Sequence, residues 1–457
     1  MKVVIINSPL FREKNDLYDE DSLPPIGLGY IATILQSNGI DVSLIDAVHQ
    51  RISVNELLHE LNTSKPDFLA SNIFTTNYDL VKEIVENISF QTHLIIGGLA
   101  TKDLYKDIIG WNSDNKIDVV TGDGELITFD IILNRLIEDP FFKSNNRRVF
   151  KVDQHSRYFV NDISDIPLNR DFFPNEPVAH PLGFIEANIV TSRGCIYDCT
   201  FCAAARSLNK DFSIRERSEA SIKAELNLIK QQYPSVNSIR VLDDLFLKTR
   251  NTVQKAINVF LGQNLQWRAM AHVMTFHNIE DSIMQLLQKS GCYELFIGIE
   301  SGSPKVLSSI NKTKNVQLIV ENLTKVFKAG INIKGYFIYG FPDETLEDME
   351  MTFRLAEELK KISESYQTNF RTSVFQYRPY HGTQIYHDLE RKGINASVQN
   401  IAPNNTLSNL VGRLQFNFHS GNYSEVESEK VHAYIYNTIN LNNGRIFNGL
   451  ESRTEPS

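Results

Sequence analysis

Two stretches of this 457-residue chain alternate short, continuously apolar runs with helical patterns, and few folds accommodate that rhythm. A strand that is apolar on both faces must be covered on both faces. Repeated strand–helix units therefore imply a parallel sheet flanked by helices. In the first stretch the strand-like runs are Val3–Asn7, Val42–Asp46, Phe68–Ile73, Leu94–Ile96 and Ile117–Val120. Helical patterns such as Gly29–Ser37, Tyr78–Ile88 and Ile127–Ile137 fall between or after them. The fold class expected is α/β, beginning with a doubly wound, Rossmann-like sheet over residues 1–140.

Residues 141–185 break the rhythm. They are rich in Asn, Arg, Pro and Phe, with Pro167, Pro174, Pro177 and Pro181, and read as a linker carrying a short hairpin in RRVFKVDQHSRYFV. The rhythm then resumes, with strand-like runs at Ala187–Thr191, Ser238–Leu242, Gln266–Met270, Glu294–Ile299, Asn332–Tyr339 and Thr372–Tyr377. Helical patterns lie between them at Glu219–Gln232, Asn251–Leu261, Glu280–Gln288, Val316–Lys328 and Leu346–Leu359. Gly291, Gly330 and Gly393 stand where glycine ends a helix. Six units are too few for a closed eight-fold barrel, so residues 186–392 read as a partial (β/α)6 barrel of the TIM type. Residues 393–457 turn Asn- and Ser-rich and form a small C-terminal region with one helix at Ser424–Asn440.

Composition narrows the function. A net charge of −9 gives no surplus of cations for phosphate, so neither nucleic acid nor an anionic membrane is expected as a partner. The start MKVVIINSPLF lacks the layout of a signal peptide, and no apolar run is long enough to span a bilayer, so a cytoplasmic location is expected. Of four cysteines, three fall within eight residues, a clustering that points to metal chemistry and away from a disulfide framework.

Those three are Cys195, Cys199 and Cys202, in Thr191-Ser-Arg-Gly-Cys195-Ile-Tyr-Asp-Cys199-Thr-Phe-Cys202, directly after the first barrel strand. Barrel enzymes gather their chemistry at that end of their strands. Three thiolates from one loop can hold three irons of a cubane and leave the fourth open to a small molecule. Structural zinc is the plain alternative, but it favours four ligands in paired spacings, and here there is no second pair and no loop histidine. Cys292 is far along the chain and reads as a small buried residue.

The Cys-x3-Cys-x2-Cys spacing, with Phe201 before the last cysteine, resembles the radical S-adenosylmethionine (SAM) superfamily over about residues 186–390. The resemblance implies a [4Fe–4S] cluster on the three cysteines and S-adenosylmethionine chelated at the open iron. Reductive cleavage would then give a 5′-deoxyadenosyl radical. Further landmarks match in order. Asp243-Asp244-Leu-Phe246 ends the second strand, and Gly298-Ile-Glu300-Ser301-Gly302-Ser303 ends the fourth. Gly340-Phe-Pro342-Asp-Glu344-Thr345 ends the fifth, and Pro379-Tyr380-His-Gly382-Thr383 the sixth. The resemblance implies cofactor contacts from Phe201, Asp243, Asp244, Glu300, Ser301, Ser303 and Gly340. For Gly340, Pro342 and Gly382 the shaping of tight turns is the favoured duty, and for Thr345 and Thr383 the capping of helices.

An open α/β sheet binds ligands beyond the carboxyl ends of its strands. The first sheet places Asp46-Ala47, Asn72-Ile-Phe74, Gly97-Gly98 and Gly122-Asp-Gly124-Glu125 there, and Pro25-Ile26-Gly27-Leu28 leads into the first helix. A five-strand sheet with PPIGLGY, followed by a cluster barrel, resembles the cobalamin-binding subgroup of radical SAM enzymes over roughly residues 1–390. That resemblance implies a corrinoid held by these residues. His49 departs from the usual cobalt-ligating pattern, since Asp46-Ala-Val-His49 lacks its spacing and its glycine, and it reads as a surface or helix-start residue.

The function implied is methylation of an unactivated carbon in a small-molecule or peptide natural-product intermediate. It would need a flavodoxin- or ferredoxin-type electron donor. Rearrangement, cyclisation or oxidation with the same cofactors is the first alternative. An electron-transfer or sensor role and a zinc-bound scaffold rank lower. Tyr336, Tyr339, Tyr377, Arg378 and Tyr380 are candidate pocket residues, though aromatics at strand ends are more usually packed walls.

Overall fold

The computed structural model describes residues 1–10, 23–179, 183–396, 398–400, 406–413 and 418–441. Phe11, Pro181 and the stretch from 442 onward fall outside them. The chain divides into two compact units: Met1–Glu176 with Ser207–Arg215 and Tyr380–Lys392, and Pro177–Arg206 with Glu216–Pro379 and Gly393–Ser457.

In the first unit the order is β1 (Lys2–Asn7), α1 (Ile26–Ser37), β2 (Asp41–Asp46), α2 (Val54–Ser64), β3 (Phe68–Asn72), α3 (Tyr78–Asn87), β4 (His93–Gly97), α4 (Thr101–Ile108), β5 (Lys116–Gly122), α5 (Glu125–Ile132), β6 (Phe142–Ser144) and β7 (Arg147–Val152). The sheet runs β2-β1-β3-β4-β5-β7-β6. Successive strand residues serve opposite faces. Val4, Ile6, Leu69, Leu94, Ile96 and Ile117 pack against α2, α3 and α4, whereas Val3, Ile5, Ala70, Ile95 and Val120 pack against α1 and α5. This is the doubly wound sheet expected, and its strand order reverses between β1 and β3.

The segment read as a linker from 141 begins with structure of its own. The hairpin is β6–β7 over 142–152, and β7 joins the sheet parallel to β5. The hairpin lies earlier than the expected RRVFKVDQHSRYFV, pairing 142–144 with 147–149, and its basic residues are satisfied by the fold: Arg147 donates to the Ile109 and Asn115 carbonyls at 3.2 and 2.5 Å, and Arg148 Nε donates to the buried Asp118 at 2.7 Å. Val149 and Val152 then enter opposite cores. Helix α5 stops at Ile132, short of the expected Ile137, because the chain turns at Asn134 with φ +51°.

The second unit holds β8 (Val178–Ala179), β9 (Ile185–Ile189), β10 (Ser192–Arg193), β11 (Arg215–Glu216, shared at its start with the first unit), α6 (Glu219–Gln232), β12 (Ser238–Val241), α7 (Arg250–Phe260), β13 (Gln266–Ala271), α8 (Asp281–Lys289), β14 (Cys292–Glu300), α9 (Pro304–Ser309), α10 (Val316–Lys328), β15 (Asn332–Tyr339), α11 (Leu346–Ser365) and β16 (Phe370–Gln376). Six parallel strands, β9 and β12–β16, form a curled half-barrel sheet in the order β16-β15-β14-β13-β12-β9, and β8 adds an antiparallel edge. Toward the amino ends of the strands a buried charge ladder crosses the sheet. Arg268 Nε donates to Glu186 at 2.7 Å, and Arg371 Nε to Glu294 at 2.6 Å. Such charges are tolerated in an interior only because each is paired. The opposite ends of the strands are left to the site.

After α12 (Gln384–Arg391) come β17 (Val398–Asn400), α13 (Leu407–Arg413), β18 (Phe418–Ser420) and α14 (Ser428–Ile439). Helix α14 packs on β15 and β16, where Thr438 bonds Tyr339 Oη at 2.9 Å and its carbonyl accepts from Thr372 at 2.6 Å. It therefore covers the free edge of the half-barrel. No helix of the described residues is long and apolar enough to cross a membrane.

Candidate active site: the cysteine loop and the sheet edge

The loop that carries the three cysteines leaves β9 and is pinned at once by the next strand's end. The fully buried Asp243 accepts from Thr191 N–H, Thr191 Oγ1 and Ser192 Oγ, each at 2.6 Å. Burial pushes its carboxyl above the usual range although these donors pull the other way. Lys248 Nζ reinforces the corner through Ser192 Oγ at 2.8 Å. Asp244 accepts from the backbone N–H of Gly194 at 2.9 Å, and Gly194 takes the left-handed conformation, φ +91°, immediately before Cys195.

The three thiols are partly buried and unbonded to one another. Burial raises all three, Cys202 to about 12. Thiols held this way need a cation to become thiolates. The Tyr197 ring between them lies on the His272 imidazole, centroids 3.6 Å apart and planes 16° from parallel. Phe201 meets Phe341 edge-on at 5.6 Å. The far side of the loop is stitched to the end of α9: Thr200 donates to the carbonyls of Ile310 and Ser309 at 3.3 and 3.2 Å, and Asn311 Nδ2 to that of Asp198 at 2.7 Å. Among the described residues no three His, Cys, Asp or Glu side chains converge on a single ion. A zinc site would require such convergence, whereas a cubane takes each thiolate on a different iron.

Several residues expected to touch the cofactor have other duties. The oxygens of Asp243 and Asp244 described above are committed to the cysteine loop. Ser303 caps α9, accepting from Val306 N–H at 3.3 Å and donating to Asp348 at 2.5 Å. Ser301 Oγ bonds Thr352 Oγ1 at 2.8 Å. Both serines are buried, so their hydroxyls hold α9 against α11. Gly340, at φ +89°, shapes a turn in which Glu344 accepts from the Gly340 and Phe341 N–H groups at 2.6 and 3.0 Å. Glu300 remains at the site, paired with Lys312 at 2.8 Å. Of the candidate pocket aromatics, Tyr339 and Tyr377 are fully buried wall residues.

In the first unit the carboxyl ends of β1, β2 and β3 carry an incomplete polar network. Asn7 Nδ2 donates to Asp46 Oδ1 at 2.8 Å, while Asp46 Oδ2 and Asn72 Oδ1 are buried without a partner among the described residues. Burial raises the Asp46 carboxyl above its usual range. A Cβ on Gly97 would come no nearer than 3.9 Å to anything, and one on the exposed Gly27 would meet nothing within 4 Å. Phe74 is 43% exposed. The neighbouring glycines are spoken for, since a Cβ on Gly98 would lie 2.5 Å from Ile73 N and one on Gly122 2.1 Å from the Val152 carbonyl. A Cβ on Gly124 would press on Ile31 at 3.3 Å. Ile26, Leu28 and Ala47 are buried, and Pro25 occupies the N-cap of α1. Glu125, the first residue of α5, is also buried. His49 is half-buried in a turn, its N–H on Asp46 Oδ1 at 3.2 Å.

Residues 189–356 match the model of the Radical SAM superfamily, and residues 19–130 match that of the B12 binding domain. The chain belongs to the B12-dependent radical SAM family. This radical SAM protein is an enzyme of methyltransferase-like kind. An uncharacterized methyltransferase of Pyrococcus horikoshii is 27% identical over 79% of this chain and 78% of its own length. Two solved structures share the fold. TsrM of Kitasatospora setae, a radical S-adenosylmethionine methyltransferase with cobalamin and a [4Fe-4S] cluster bound, has a TM-score of 0.59 at 15% identity, covering 89% of this chain and 82% of that one. OxsB, a cobalamin-dependent S-adenosylmethionine radical enzyme with aqua-cobalamin and S-adenosylmethionine bound, has a TM-score of 0.61 at 15% identity over 93% of this chain, which spans 64% of that longer chain.

Three residues of the radical SAM site escape sequence reasoning. His272, just past β13, carries the Tyr197 stack. Lys312 follows α9 in a turn with no ligand-binding signature. Thr352 lies mid-helix in α11 and collects both Ser301 Oγ and the Gly302 N–H, the latter at 3.0 Å. The only available signal was the helical spacing that sets Asp348 and Thr352 on one face of α11.

Proposed function

We propose that this enzyme uses a [4Fe–4S] cluster on Cys195, Cys199 and Cys202, S-adenosylmethionine and cobalamin to methylate an unactivated carbon of a small-molecule or peptide natural-product intermediate. The observation that carries the reading is the cysteine loop, whose three thiols are partly buried, unbonded to one another and supplied with no fourth protein ligand among the described residues. When bound, the cluster supplies the electron that splits the sulfonium, and cobalamin carries the methyl group. The chain's own part is placement. Asp243 and Asp244 set the start of the loop, Tyr197 on His272 fixes its middle, and the Ser309 and Ile310 carbonyls with the Asn311 side-chain amide close its end.

The sheet edge of the first unit suits a corrinoid. The unpartnered oxygens of Asp46 and Asn72 can accept from its amide side chains, and the open faces of Gly27 and Gly97 admit a large ring. Free thiols and the need for low-potential electrons support a cytoplasmic setting and a flavodoxin- or ferredoxin-type donor. The test is anaerobic reconstitution with iron, sulfide and hydroxocobalamin, followed by turnover with methyl-labelled S-adenosylmethionine. The expected result is 5′-deoxyadenosine together with label in the product. Deoxyadenosine without label in the product would replace methylation by rearrangement, cyclisation or oxidation, and neither would overturn the reading.

A further inference from the structure

The concave face of the half-barrel is basic. Register partners in a parallel sheet share a face. Arg240 is level with Arg268, Arg268 with Glu294, Phe296 with Lys334, and Lys334 with Arg371. The alternate residues serve the helices: Trp267 stacks on Phe260 of α7, centroids 4.9 Å apart. The charged set therefore faces the lumen. Its two carboxylates are already engaged. Glu186, at the start of β9, takes Arg268 Nε and Nη2 at 2.7 and 2.5 Å, and Glu294 takes Arg371 Nε and Nη2 at 2.6 and 2.7 Å. Arg240 and Lys334 both lie on the face of Phe296, 5.2 and 5.9 Å from its centroid. An aromatic face steadies a cation but does not neutralise it. In this layer four cations thus meet two carboxylates.

The lumen is also open. On β15 the helix-facing Ile333, Phe337 and Tyr339 are buried, whereas the inward Lys334, Tyr336 and Ile338 are only half-buried. On β16 Ser373 and Phe375 are half-buried too. Inward side chains that stay accessible line free space. One step nearer the carboxyl ends, Tyr336 stacks on Phe375 at 6.1 Å and meets Phe296 edge-on at 6.4 Å, an aromatic wall beside the basic layer. Arg240 stands three residues before Asp243, about 10 Å along the strand from the corner that sets the cysteine loop.

We propose that the lumen seats an anionic group of the substrate, a carboxylate or a phosphoryl, between Arg240 and Lys334, with a flat or apolar body against Tyr336 and Phe375. This deepens the function proposed above and rests on it for the chemistry at the other end of the molecule. An anchor remote from the reacting carbon supplies the binding energy that orients that carbon toward the cysteine loop.

The test is calorimetric titration of the full chain with phenyl phosphate, benzoate and benzyl alcohol, without reductant. At least one anion is expected to bind and the neutral alcohol is not; the tighter anion tells phosphoryl from carboxylate. Arg240→Gln and Lys334→Gln should each weaken that binding about 10-fold, and Lys334→Arg should restore it. Thermal melts confirm that each variant is folded, and Lys334, being half-buried, gives the cleaner one. Binding of neither anion, equal binding of benzyl alcohol, or unchanged affinity in both glutamine variants would overturn the proposal. Anion binding by a protein that forms no 5′-deoxyadenosine after reconstitution would uphold the pocket and overturn the radical reading alone.

Discussion

Tyr197 and His272 lie face to face, 3.6 Å between ring centroids, so the middle of the cysteine loop rests on the carboxyl end of β13. The imidazole can serve as a flat platform because burial, helped by the charge of Lys312, pushes its pKa down to about 3 and keeps it neutral. Nδ1 accepts the Met274 N–H at 3.2 Å, which orients the ring. His272→Ala removes the stack and opens a void beneath Tyr197, with an expected cost of about 1–3 kcal/mol. His272→Phe retains most of it. Thermal unfolding, together with iron uptake on reconstitution, should show Ala impaired in both and Phe near wild type.

Asp243 offers a sharper contrast. Asp243→Ala strands Thr191 N–H and two hydroxyls in a buried corner, at about 2–4 kcal/mol. Asp243→Asn keeps an acceptor for Thr191 N–H, and the hydroxyls can rotate to meet its amide. The alanine variant should fail to retain iron, while the asparagine variant loads cluster with modest loss of stability. If both loaded equally well, Asp243 would not be setting the loop.

How much of this was legible depended on whether a residue's job is written locally. Helices Glu219–Gln232 and Val316–Lys328 have the bounds their apolar periodicity implies, and in the structure Ser218 and Asn315 cap them while Gly330 follows the second. The cysteine spacing is equally local. The hairpin expected in RRVFKVDQHSRYFV is displaced to β6–β7 because its arginines are satisfied by Asp118 and by carbonyls from β5's approach, none adjacent in sequence. The same limit governs the site. Ser301 and Ser303 resemble ligand contacts in a linear motif, but α11 lies some fifty positions downstream and absorbs both hydroxyls. Lys312 carries no signal at all until the fold sets α9 against Asp198 and Thr200.

Glu344 predicts a pH dependence. Burial lifts its carboxyl to about 8 despite two backbone donors, and Oε1 has no partner among the described residues. Between an unfolded value of 4.5 and about 8 the native state holds a proton that the unfolded state releases. The contribution of Glu344 to stability is therefore fully present below about pH 4.5 and falls as pH rises through 8. Glu344→Gln preserves the acceptor for the Gly340 and Phe341 N–H groups and removes the titration. Its unfolding temperature should exceed that of wild type increasingly from pH 5 to pH 8.5; parallel profiles would show that Glu344 is ionised throughout.

Adjacent glycines in the first unit separate fold from ligand. Gly98, at φ +99°, sits against the Ile73 backbone, so Gly98→Val must push β3 and β4 apart and should destabilise the unit by several kcal/mol, on the order of 3. Gly97 has open space at the same sheet edge, beside the unpartnered oxygen of Asn72. Gly97→Val should leave the melting curve near wild type and instead fill the space offered to a corrin ring. Gly27→Leu, at the exposed first turn of α1, should act alike. Hydroxocobalamin uptake, followed by its visible absorbance after desalting, is expected to drop at least tenfold in Gly97→Val and Gly27→Leu. Full uptake by both variants would move the corrinoid away from this edge, because a ring seated there cannot share its space with either new side chain.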